Sequence, residues 1–204
     1  MGATKEQAEK TRQDLLATAL IVFSNKGFNA TRLEDISNEA GVTRGAFYWH
    51  FKNKKEIFCT LYRQIMNDFI ESMKNTIGIS QTPLQNLKSV LLTKIIELLV
   101  DENARRYGRL FYAVEYTPEV VTELEQIKKE MEIPIHNFFS SLIDQGKDSN
   151  EIRQDMETES IFLAAISTLQ GTVNHIFDGI LTITENDVKT IVNIFVEGIK
   201  NKTK

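Results

Sequence analysis

The sequence predicts an all-α protein of about nine helices arranged in two parts, and three observations predict it. Apolar residues recur at intervals of three and four almost throughout, which is the period of helices with one buried face. Proline occurs only three times, at 83, 118 and 134, so long stretches run without a helix breaker. No run alternates apolar and polar residues as a half-buried strand would, and no internal repeat is evident. A length of 204 residues with 42% hydrophobic and 25% charged residues fits one large soluble globular domain or two modest ones.

After a first helix, the segment from Thr31 to Lys55 holds three helix-start signals and one glycine turn. Thr31 with Glu34 reads as a capping box that opens the second helix just before Leu33 and Ile36. Gly41 follows Glu39 and Ala40, where a helix ends most cheaply in a left-handed conformation, and Val42 returns the chain toward the core. Thr43 caps a third helix over 44–51, about two turns long. Asn53 with Glu56 repeats the capping grammar for a fourth helix over 54–77, whose stripe is Phe58, Leu61, Ile65, Phe69 and Met73. The GISQTP segment, with Gly78 and Pro83, ends it and reads as a linker between domains. Further helices are expected at 84–101, 103–116, 119–145, 157–178 and 185–200. Pro134 lies inside the seventh, removes an amide donor there and predicts a kink.

Short as it is, the third helix sorts its faces residue by residue. Arg44, Gly45, Tyr48 and Trp49 fall on one side, and Ala46, Phe47 and Phe51 on the other. The first set suits a major groove: arginine can pair bidentately with guanine, glycine lets backbone approach a phosphate, and the aromatics offer hydroxyl, indole N–H and apolar contacts. Charge is segregated in the same sense. Residues 1–55 carry nine Lys/Arg against six Asp/Glu, net +3, within a chain of net charge −4, so the remainder is net −7. Only the N-terminal part suits a polyanion.

The stretch from Thr11 to Leu61 closely resembles the DNA-binding domain of TetR-family transcriptional regulators. The elements carrying the resemblance stand in order: a first-helix pattern ending in Phe23 and Lys26-Gly27-Phe28, then Thr31, Ile36, Ala40-Gly41-Val42, and the run from Gly45 through Ala46, Phe47, Tyr48, Trp49 and His50 to Phe51. The resemblance implies an N-terminal three-helix helix-turn-helix domain over 1–55, linked through helix four to a C-terminal helical effector-binding and dimerisation domain over 56–204. It implies a DNA-facing set of Thr31, Thr43, Arg44, Gly45, Tyr48, Trp49, His50 and Lys54, with Tyr48, His50 and Lys54 assigned to phosphates. Trp49 is left as either a base contact or an orienting prop. The partners implied are double-stranded DNA with a palindromic operator, a small-molecule effector and a second copy of the chain.

The last two helices are apolar on more than one side, which a surface helix of a monomer should not be. Ala164, Thr168, Gly171 and His175 form a small-residue stripe on the eighth, and Ile191 and Phe195 lie on the ninth, so these six are the expected dimer contacts. By the same resemblance, helices four to eight enclose an effector cavity, for which Phe69, Phe111, Glu115, Phe138, Gln170 and Asn174 are the candidates. Glu115 projects beside an apolar stripe; unpaired by protein it would select cationic effectors, and paired to an arginine or lysine it would be structural. The run Thr43-Arg44-Gly45 through Phe51 with Lys54, the segment Val114-Glu115-Tyr116 and the segment from Gly171 to Phe177 resemble, more weakly, multidrug-efflux repressors of the AcrR type. A DNA-anchored protein-interaction module without an effector is the alternative reading.

Other classes find little support. Glycine loops for phosphate, GxSxG, HExxH and a carboxylate pair in an evident cleft are missing, so no catalytic constellation is expected, and no cofactor. His136 and His175 are 39 residues apart and do not read as parts of one metal-ligand set, so no metal is expected. A single cysteine, Cys59, is consistent with a reducing cytoplasm and reads as inert core. The first fourteen residues lack an apolar signal region, and no apolar run approaches the roughly 20 residues of a membrane span.

Overall fold

The computed structural model describes residues 5–112 and 116–202, the side chains of 107, 111 and 112 excepted. Among these residues the helices are α1 (Lys5–Ala30), α2 (Leu33–Glu39), α3 (Arg44–His50), α4 (Lys54–Asn75), α5 (Pro83–Val100), α6 (Glu102–Tyr112), α7 (Pro118–Asp148), α8 (Thr158–Asp178) and α9 (Glu185–Ile199). The ends lie where their chemistry puts them. Thr82 Oγ1 accepts from the Gln85 amide while Gln85 Oε1 accepts from the Thr82 amide, with Pro83 at the first helical position of α5. Thr184 and Asp187 make the same reciprocal pair at the start of α9. Pro134 lies inside α7, which runs as one helical element.

The helices fall into two compact units, Met1–Met66 with Arg106–Lys128, and Asn67–Arg105 with Lys129–Lys204. The division therefore falls within α4 instead of at the expected 55/56 boundary. The reason is aromatic packing: Phe58 meets Phe23 edge-on at 5.2 Å and also packs on Phe28 and Tyr116, all in the first unit. Ile57, Leu61, Tyr62 and Ile65 continue this buried face along α4.

In the second unit α5 packs on α8 and α9, which pack on each other. Leu87, Leu91 and Ile95 meet Ile161 and Ala165 of α8 and Val188 and Val192 of α9 in one fully buried cluster, with Met73, Phe139 and Ile143 completing it. Each such aliphatic side chain contributes roughly 1.5 to 3 kcal/mol by leaving water. The turn after α7 is tied to the end of α9, since the Arg153 amide donates to the Ile199 carbonyl and the Asn201 amide to that of Glu151. A Cβ on Gly146 would lie 2.6 Å from Ile152, so glycine is required where this turn crosses α7. The resulting single antiparallel bridge, Ile152 to Lys200, is too short to show in a sequence periodicity.

Candidate nucleic-acid interface

The turn between α2 and α3 is built from three amide bonds. The Gly41 amide donates to the Asn38 carbonyl at 3.1 Å, the Val42 amide to that of Ser37 at 2.9 Å, and the Ala40 amide to that of Ile36 at 2.9 Å. This Schellman arrangement needs a left-handed residue at position 41, and Gly41 supplies it with φ 66°. Thr43 then caps α3 by accepting from the Ala46 amide at 3.1 Å. Phe47 and Phe51 are buried, 5.9 Å apart between ring centres, which anchors α3 by the side expected to pack.

The opposite side is open. Thr43, Arg44, Gly45, Tyr48 and Trp49 are exposed, Trp49 to 72%. Arg44 lies over the Tyr48 ring, donates to its hydroxyl at 3.4 Å and pairs with Glu34 of α2 at 3.3 Å. Both partners of that ion pair are more than half exposed, and such surface pairs contribute only about 0 to 1 kcal/mol, so Arg44 can exchange Glu34 for a guanine edge. His50 is half-buried with Trp49 edge-on to its ring at 4.6 Å. Burial first, then the Arg12 charge, pulls its pKa below the ordinary histidine value, so a neutral imidazole stands at the edge of this surface.

Two of the expected contacts are corrected. Thr31 is 2% exposed and its hydroxyl donates to the Gly27 carbonyl at 2.7 Å, so it neither caps α2 nor reaches a phosphate. The cap position belongs to Arg32, whose amide donates to Asp35 Oδ2 at 2.8 Å, in place of the expected Thr31–Glu34 box. The cause is Gly27: its φ of 77° kinks α1 and turns its carbonyl toward the Thr31 hydroxyl. Lys54 is the second correction. Its Nζ donates to the carbonyls of Phe28 at 2.7 Å, Thr31 at 2.9 Å and Asn29 at 3.2 Å, and burial lowers its pKa. An ammonium group has three hydrogens, and all three are committed to the end of α1. Arg32, which the sequence reading passed over because arginine is no capping residue, is exposed beside α2, as is Lys52 beside α3.

In the second unit the exposed face of α8 carries Leu163, Ala164, Gln170, Asn174 and His175, with Thr168 and Gly171 half-exposed. Gln170 and Asn174 were expected to face a cavity. They lie instead on the open face beside Ala164 and Gly171, because the core side of α8 is taken by Ile161, Phe162, Ala165, Leu169, Thr172 and Val173. On α9 Ile194 is 69% exposed next to half-buried Ile191 and Phe195. Phe69 and Phe138 are half-buried and pack on the core cluster. Glu115, and the side chain of Phe111, lie outside the described residues. Among the described residues no three His, Cys, Asp or Glu side chains gather as a metal site.

Comparison with known proteins agrees in the region just described. The family described as bacterial regulatory proteins, tetR family, matches residues 15–59. The HTH-type transcriptional regulator AcrR of Shigella flexneri is 35% identical over 120 residues, which are 57% of this chain and 55% of that protein. The match thus spans about half the length of that relative. The HTH-type transcriptional regulator TtgR of Pseudomonas putida is 27% identical over 83% of this chain and 81% of its own length. The crystal structure of NalD, the secondary repressor of the MexAB-OprM multidrug efflux pump in Pseudomonas aeruginosa, is similar over 98% of this chain and 100% of that one, with a TM-score of 0.77 and 26% identity.

Proposed function

We propose that the chain is a TetR-type regulator resembling the AcrR-type repressors, which represses transcription as a homodimer on a palindromic operator and leaves it when a small, largely apolar effector binds the second unit. The observation that carries the reading is the exposed surface of α3, where Arg44, Gly45, Tyr48 and Trp49 face outward from a helix anchored by Phe47 and Phe51. Arg44 reads a base, Gly45 admits the DNA backbone, and Tyr48, Arg32 and Lys52 take phosphates.

A single reader of two turns makes too few base contacts for a unique site, and a two-fold dimer doubles them at a separation of one helical turn of DNA or a multiple of it. The open apolar face of α8 and α9 supplies the pairing surface. An effector that binds better to a conformer with a different reader separation draws the population off the operator. The helix α4 belongs to both units by chain continuity and is the route by which such a change reaches the reader. The similarity to NalD, the secondary repressor of a multidrug efflux pump, supports efflux genes as targets. As a DNA-binding regulator and not an enzyme, the chain would act in the cytoplasm beside its DNA; no helix among the described residues is long and apolar enough to cross a membrane.

Selection of bound duplexes from a random pool tests the reading. A palindrome with half-sites about one turn apart is expected. Recovery of an asymmetric single half-site, or of no common sequence, would replace this account with that of a non-specific or monomeric binder.

A further inference from the structure

Lys94 lies on the core side of α5, at the position that the apolar stripe Leu87, Leu91 and Leu98 assigns to a hydrophobic residue. Its side chain is 3% exposed, and among the described residues it is the only buried Lys, Arg, Asp or Glu. Nζ donates to Ser72 Oγ at 2.9 Å and to Glu97 Oε2 at 2.7 Å. Ser72 Oγ spends its own hydrogen on the Phe69 carbonyl at 2.9 Å, which fixes it as an acceptor toward Lys94. Of the three ammonium hydrogens two are used, and the third has no acceptor among the described residues.

Stability does not account for this arrangement. Withdrawing an ammonium from water is costly, and an apolar side chain in place of a buried ion pair is frequently as stable or more so. The two partners are also unequally placed: Glu97 is 44% exposed while Lys94 is buried. Glu97 can therefore turn into water at little cost, whereas Lys94 cannot follow it, and the group left behind requires another anion. What now occupies the site is a carboxylate that accepts from Lys94 Nζ, so a ligand carboxylate fits the same ammonium donor. Beside it Phe69 and Leu98, half-buried against the core, offer an apolar lining.

We propose that Lys94 is the ligand-recognising charge of the second unit, and that the effector is a single-tailed amphiphile with a carboxylate head that displaces Glu97. The proposal rests on the effector-release reading above for its regulatory meaning, and on Lys94 alone for its binding chemistry.

The full-length chain is titrated calorimetrically, without DNA, with dodecanoate, dodecanol and dodecyltrimethylammonium below their aggregation concentrations. Dodecanoate should bind roughly ten-fold or more tightly than dodecanol, since a hydrogen-bonded charge is lost with the carboxylate. Lys94→Met should remove that preference while holding dodecanol within about two-fold, and Glu97→Gln, which deletes the competitor, should strengthen dodecanoate. Equal binding of dodecanoate and dodecanol by the native chain, tighter binding of the cation, or a preference that survives Lys94→Met would overturn the proposal. Circular dichroism establishes that Lys94→Met folds; if it does not, Glu97→Gln decides, and unchanged dodecanoate affinity there overturns the proposal. Operator anisotropy run in parallel separates the two readings. Dodecanoate that binds through Lys94 without releasing DNA upholds the site and removes effector release by this class. Release by the cation with no dodecanoate binding does the reverse.

Discussion

The Lys54 ammonium group sits 4.5 Å above the centre of the Phe28 ring and donates to the carbonyl of that same residue at 2.7 Å. One side chain at the start of α4 thus closes the end of α1 through a cation–π contact and three hydrogen bonds, holding α1 and α4 of the first unit together.

Lys54→Met removes the donor to three carbonyls at once, and a stranded backbone acceptor costs about 1 to 3 kcal/mol. Thermal melting of the variant should therefore fall by several degrees. The salt dependence of its DNA affinity should keep the native slope, because no phosphate contact is lost, whereas Arg32→Ala or Lys52→Ala should each flatten the slope by about 0.9 per half-site. A flattened slope for Lys54→Met with native melting would return Lys54 to the phosphates.

The contrast between Lys54 and its neighbours shows what a sequence can and cannot disclose here. The ends around α3 were legible because their signals are local: Thr43 and Gly41 each act within four residues. The faces of α3 were legible because two turns of helix leave only one packing solution for Phe47 and Phe51. Lys54 was not legible, since its three acceptors lie 23 to 26 residues away and appear only once Gly27 has bent α1. Thr31 was misread for the same reason, a local capping grammar overridden by a carbonyl freed four residues earlier. Gln170 and Asn174 share a helical face with Ala164 and Gly171, and periodicity alone does not say which of two apolar-flanked faces the protein closes.

Arg44 and Gly45 test the reader itself. Arg44→Ala should relax sequence choice at one base pair per half-site and cost about 1 to 3 kcal/mol for each bidentate pair lost, as read by competition between operator variants. Uniform weakening on all sequences would assign Arg44 to the phosphate backbone. For Gly45 the chain alone sets no limit, because a Cβ there would come no nearer than 3.9 Å to any neighbouring atom outside the helix backbone, at Thr43 Oγ1. Gly45→Ala should accordingly raise stability by roughly 0.5 to 1 kcal/mol through helix propensity. Operator affinity should fall in the same variant, the two effects having opposite signs because only DNA occupies the space beyond Gly45. The lone tryptophan, Trp49, reports both, since at 72% exposure its emission should shift on adding operator duplex.

His136 of α7 and Glu159 of α8 predict a pH dependence in the second unit. His136 Nε2 lies 2.8 Å from Glu159 Oε2, with Ser140 Oγ at 3.5 Å and the Phe162 ring edge-on at 4.7 Å. The hydrogen bond to Glu159 raises the histidine pKa above its ordinary 6.5 against the effect of desolvation, with Glu159, Asn137 and Glu132 adding in the same direction. A raised folded-state pKa stabilises the protein below the unfolded value, and that stabilisation is lost as pH rises through the folded value. Native protein should therefore lose melting temperature from pH 6 toward pH 8 relative to Glu159→Gln. Parallel melting curves for the two proteins across that window would discount the pair, as expected of an exposed bridge fully screened by solvent.

Gly171 and Ile194 decide whether the open face of α8 and α9 is a dimer surface. A Cβ at Gly171 meets no atom within 4 Å, and Ile194 is 69% exposed, so neither Gly171→Leu nor Ile194→Glu disturbs the fold of the single chain. Any loss must then come from a partner. If two copies pair through these helices, Gly171→Leu holds them apart at close approach and Ile194→Glu buries an unpaired carboxylate, which an apolar interface does not tolerate. Sedimentation should show monomers with native circular dichroism, and operator affinity should collapse because half-sites one turn apart must then be bound independently. Thr168→Glu, beside Gly171 on the same face, should behave alike. Were all three variants to sediment as dimers with native operator affinity, the pairing surface would lie elsewhere, and the exposed isoleucine would need a different partner to explain it.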